Sequence, residues 1–109
     1  MSEVIFEINK VETKQGRRFK IDVFENIPEK LREISFETIF DLMDTFEIEK
    51  LKIEKMDSIR YKVNLALTDI PTWFIWYGNE SFKDTIENFF TQFYYVKSTI
   101  SNKINKFER

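Results

Sequence analysis

From Ile59 to Leu67 large apolar residues alternate with polar or small ones: Ile59, Tyr61, Val63, Leu65 and Leu67 against Arg60, Lys62, Asn64 and Ala66. Side chains in a strand point alternately to opposite faces, so this run predicts a strand with one face on a core and one toward water. Leu51 and Ile53 alternate in the same way with Lys50, Lys52 and Glu54, and Met56-Asp57-Ser58 joins the two runs as a hairpin. Near the N-terminus, Val4, Phe6 and Ile8 alternate with Ile5, Glu7 and Asn9. Phe19, Ile21 and Val23 alternate with Arg18, Lys20 and Asp22, and the loop 13–17 with its Gly16 predicts a second hairpin. After the Thr68–Pro71 turn comes Thr72-Trp73-Phe74-Ile75-Trp76-Tyr77, which is apolar on both sides of its pleat. The ordinary reading is a central strand covered on both faces. Where the second face meets a partner instead, Phe74 and Trp76 are the candidate contact residues, opposite Trp73, Ile75 and Tyr77.

The period changes to that of a helix in two places. Asn26-Ile27-Pro28 ends the second strand and supplies a cap and a first-turn proline for a short turn or helix near 28–33. Ser35 then caps a main helix near 36–46, whose stripe is Phe36, Ile39, Phe40, Met43 and Phe46. At the C-terminal end, Phe82, Ile86, Phe89, Phe93, Val96, Ile100, Ile104 and Phe107 recur every three or four residues. They predict one long helix over 81–107, with Ser81 and Asp84 forming a capping box. At 1.5 Å per residue that helix runs roughly 40 Å, longer than the ~34 Å diameter of a sphere of this domain's size. Ile100, Ile104 and Phe107 then overhang the domain and form a candidate homodimer seam. The order β-β-α-β-β-β-α predicts an α+β fold: an antiparallel five-stranded sheet with helices packed on one face and a long C-terminal helix, in one domain over 1–109.

Composition narrows the chemistry. With no His and no Cys, imidazole and thiol catalysis, thiolate metal sites and disulfides are all excluded. Gly16 and Gly78 stand alone, so there is no phosphate-cradling loop. Carboxylates remain: Glu33, Glu37, Asp41 and Asp44, at spacings of four, four and three, form an acidic ridge on any helix through them. No ligating loop accompanies them, so neither a metal nor another cofactor is expected, and the chain is read as a non-enzyme. Asn79-Glu80-Ser81 is read as a helix cap rather than a glycosylation site, because the N-terminal run does not read as a secretion signal. A cytoplasmic location follows from that reading.

Two functional classes fit. The first is a protein-binding module: a small inhibitor, immunity or adaptor protein that blocks a larger protein or protein–nucleic-acid complex. Glu33, Glu37, Asp41, Asp44, Phe74 and Trp76 are its contact candidates. A single alanine in a chain rich in Ile, Lys, Phe and Asn points to an AT-rich genome, which suits phage or plasmid inhibitors of host machinery. The second class binds single-stranded nucleic acid, with Phe74 and Trp76 as stacking platforms and Lys14, Arg17 and Arg18 at the basic hairpin tip tracking phosphates. The net charge of −2, and the lack of Lys or Arg between residues 63 and 82, place this class second.

Overall fold

The computed structural model describes residues 3–24, 27–68 and 70–93. β1 (Glu3–Thr13) and β2 (Gly16–Val23) form the N-terminal hairpin. Its ladder runs further than the alternation predicts, through Glu12 opposite Arg17 to Thr13 opposite Gly16, leaving Lys14-Gln15 as the loop. Gly16 takes a φ of 108°, which a glycine adopts without a Cβ clash, and the Thr13 hydroxyl donates to its carbonyl at 2.6 Å. A register shift between Val4 and Phe6 turns both Ile5 and Phe6 inward.

Two helices follow. α1 (Glu29–Arg32) is a single turn, and Pro28 precedes it as N-cap rather than sitting in its first turn. The expected cap, Asn26, lies outside the described residues. α2 (Phe36–Thr45) starts where Ser35 Oγ accepts from the Thr38 N–H at 3.1 Å, and it buries Ile39, Leu42 and Met43. Each such side chain contributes about 1.5–3 kcal/mol when removed from water. The helix ends at Phe46, and Glu47, at a φ of 56°, reverses the chain in the left-handed conformation more often given to glycine.

β3 (Ile48–Lys55), β4 (Arg60–Leu67) and β5 (Pro71–Tyr77) form the second half of the sheet. Helix α3 begins at residue 82 and is described to residue 93, with Ser81 Oγ accepting from the Asp84 N–H at 3.3 Å. The remainder of the long helix predicted to 107 lies outside the described residues, as do Ile100, Ile104 and Phe107. All strands pair antiparallel in the order β2-β1-β3-β4-β5. Phe36 and Phe40 of α2 lie over Phe6 and Phe19, while Phe82 and Phe89 of α3 lie over Trp76 and Phe74. The helices therefore cover one face of an α+β fold and enclose one hydrophobic core. No helix among the described residues is long and apolar enough to cross a membrane.

The β3–β4 connection is organised by Asp57. Its Oδ1 accepts from the N–H groups of Ile59 (3.0 Å) and Arg60 (2.7 Å), and Oδ2 accepts from Arg60 Nε at 2.7 Å. The Ile59 N–H, then the Arg60 side chain and N–H, hold the Asp57 carboxyl down at about 2, against an ordinary value of 3.8. Because the folded value lies below the unfolded one, the turn's contribution to stability is present above pH 3.8 and is lost as pH falls through about 2. An NMR titration should therefore show the Asp57 carboxyl and the Ile59 and Arg60 amides moving together with a midpoint near pH 2. A midpoint at the ordinary value would show that the turn does not hold the carboxylate.

Candidate functional site

Strand order and the β4–β5 register together decide which face of the aromatic strand is buried. β5 is an edge strand, not the central strand that its two apolar sides suggest. Cross-strand neighbours share a face, and β4 pairs Val63 with Phe74 and Tyr61 with Trp76. The core face of β4 thereby becomes the core face of β5. Phe74 and Trp76, the expected contact pair, are core residues at 8% and 0% exposure. Neither serves as a surface platform in this fold. Trp73 and Tyr77, at 55% and 44%, are instead the aromatics on the face that no helix among the described residues covers, with Ile75 half-buried between them.

That open face carries cations that local sequence does not place near the tryptophan. Pairing sets Trp73 opposite Asn64, Asn64 opposite Lys52, and Ile75 opposite Lys62. The Lys62 ammonium lies 4.9 Å from the centre of the Trp73 ring, a cation–π contact. Lys50 pairs with Glu7 at 3.0 Å and Lys52 with Glu54 at 3.2 Å. The Lys50 contact, then the Asn9 amide, lowers the Glu7 pKa. Lys50, Lys52, Asn64 and Trp73 border a shallow concavity of about 350 Å³. A second one, about 510 Å³, opens beside Pro28, Ile59, Tyr77 and Gly78.

The acidic ridge is split between two elements. Ser35 ends one run and starts another, so Glu33 caps the C-terminus of α1 while Glu37, Asp41 and Asp44 lie on α2. All four are exposed. Glu33 pairs with Lys30 at 3.6 Å and Asp44 with Lys10 at 3.1 Å, whose ammonium also lies 5.9 Å from the Phe19 ring. Glu37 and Asp41 make no ion pair among the described residues. No group of three metal-ligating side chains is assembled among the described residues.

Sequence spacing thus found the acidic residues but missed Trp73, Tyr77 and Lys62 as surface groups. The signal for them was Pro71, since a proline without an N–H suits the start of an edge strand. No family model, no curated protein and no solved structure matches this chain.

Proposed function

We propose that the chain is a non-catalytic protein-binding module of the inhibitor, immunity or adaptor kind, acting by covering a basic surface of a larger partner. The observation that carries this reading is charge segregation. Residues 29–49 hold seven carboxylates against two cations, in a chain whose total charge is −2. This acidic segment, offset on its surface by Lys10 where it pairs with Asp44, favours a cationic surface and speeds its encounter. Glu37 and Asp41 are exposed at the middle of that side, on a helix anchored from below by Ile39, Leu42 and Met43. The AT-rich composition adds phage or plasmid inhibitors of host machinery as the class to test first.

The test is the double reversal Glu37→Lys with Asp41→Lys. Exposed charge changes alter stability by less than about 0.5 kcal/mol, so the melting temperature should move by only a few degrees. Capture of the partner from a host lysate should fall about tenfold or more, and the wild-type interaction should weaken with added salt. Equal capture by the wild type and the folded double reversal would sink the proposal.

The contact of Lys62 with Trp73 favours one alternative, single-stranded nucleic acid stacked on the open sheet face. Two of that face's lysines are already neutralised by Glu7 and Glu54, so submicromolar binding of an oligonucleotide in about 150 mM salt is not expected. Finding it would replace the protein-binding reading.

A further inference from the structure

We infer that β5 pairs with β5 of a second copy, in antiparallel register about a two-fold axis at Ile75, joining two sheets into one. The first observation is the phase of the β4–β5 ladder. It is bracketed by the Leu67 N–H donating to the Ile70 carbonyl at 3.1 Å and the Gly78 N–H donating to the Ile59 carbonyl at 2.8 Å. Hydrogen-bonded pairs alternate in an antiparallel ladder, so Thr72, Phe74 and Trp76 turn their backbone groups toward β4. Trp73, Ile75 and Tyr77 turn theirs outward, and the Tyr77 carbonyl also accepts from the Glu80 N–H at 2.9 Å.

The second observation is how differently the two sheet edges are treated. β2, the other edge, carries Arg17, Arg18, Lys20 and Asp22 among its eight residues, the charged guard that keeps strand edges from pairing. β5 carries no charge in seven residues, and its proline stands at the end rather than in the middle. An uncharged edge offers nothing to select a charged foreign strand and nothing to repel a second copy. In the proposed dimer the two Lys62 strands are separated by both copies of β5, about 14 Å apart at ~4.8 Å per strand, beyond the Debye length at physiological salt.

The third observation is the symmetry of the strand itself. About Ile75 the sequence reads aromatic on both sides, with Trp73 and Tyr77 flanking on the open face and Phe74 and Trp76 on the covered one. A two-fold axis at Ile75 sets Ile75 against its own copy and Trp73 against the partner's Tyr77, the self-complementary pattern that a symmetric dimer requires. With the Tyr77 carbonyl already held by the Glu80 N–H, about four inter-strand hydrogen bonds result, two at Ile75 and one at each Trp73–Tyr77 pair. The shared edge, seven residues at ~3.3 Å each, is about 23 Å long. A single shared strand edge is a small interface beside the ~1,200 Å² of standard complexes, so the dimer is expected to be weak, with a dissociation constant of micromolar order or higher.

Light scattering on the intact chain, across the micromolar range, is expected to show a mass rising from one copy toward two. Ile75→Lys places like charges directly across the axis and should hold the mass at one copy while leaving the far-ultraviolet spectrum intact. Because the chain has no cysteine, Ile75→Cys supplies a second readout that does not depend on that variant folding. Paired residues lie about 5.5 Å apart between Cα atoms, within disulfide range, so mild oxidation should yield a covalent dimer. Lys20→Cys, on the guarded edge, should not cross-link. A wild-type mass of one copy throughout, with no preferential cross-linking at Ile75→Cys, would overturn the inference. So would a dimer that survives a folded Ile75→Lys variant, since its seam would then lie elsewhere, for example at Ile100, Ile104 and Phe107.

Discussion

Trp76→Ala is expected to destabilise the fold by about 3–5 kcal/mol, while Trp73→Ala, three residues away, should change it by less than about 1 kcal/mol. Trp76 is wholly buried, tilted against Tyr61 at 5.2 Å and edge-on to Phe82 at 5.1 Å between ring centres. Its indole N–H donates to the Glu80 carbonyl at 2.9 Å, so it also fastens the turn that leads into α3. Alanine removes the ring, leaves a cavity and strips that carbonyl of a donor, which are separate costs in the same direction. Trp73 is more than half exposed, and its described partner is the ammonium of Lys62, a contact worth about 0.5–1 kcal/mol at the surface. Against a typical stability of about 5–15 kcal/mol, the first change should lower the melting temperature by roughly 15–30 °C and the second by a few degrees. Urea unfolding of the two variants measures this directly. Comparable losses at both positions would mean that the even-numbered residues of β5 are not the core side.

That contrast also marks the limit of what was legible beforehand. Period-two alternation located the strands, and Ser35 located the start of α2, because both signals are local. Strand order is not local. Trp73 and Lys62 are eleven residues apart and meet only because β5 pairs with β4, and nothing in either segment names its neighbour. A strand apolar on both sides cannot by itself say which side is covered. The clean alternation of β4 decides it once the register is known, since Tyr61 and Val63 carry Trp76 and Phe74 to the core with them. The acidic residues were divided by a local signal: the Ser35 cap separates Glu33, at the end of α1, from Glu37, Asp41 and Asp44 on α2. What survives is a charged side built by two elements, with Glu37 and Asp41 as its middle.

Phe90→Ala is the second change expected to cost about 3–5 kcal/mol, and it tests how the two helices are joined. Phe82, Ile86 and Phe90 recur every four residues along α3, and each is fully buried against the sheet. Phe90 does more than fill that row. Its ring stacks on Phe46 with centres 4.3 Å apart and planes within 5°, and Phe46 is the residue that ends α2. Phe89 closes against Phe90 edge-on at 5.2 Å and lies over Phe74 at 4.9 Å, so the stack links α2, α3 and the edge strand. If the ring pair carries energy beyond area burial, Phe46→Ala and Phe90→Ala should not add. The double variant should be about 0.5–1.5 kcal/mol more stable than the sum of the single losses predicts. Urea unfolding with unchanged denaturant dependence provides the four stabilities needed. Strict additivity would show that α2 and α3 pack on the sheet independently, and that the stacked pair is a coincidence of position rather than a joint between the helices.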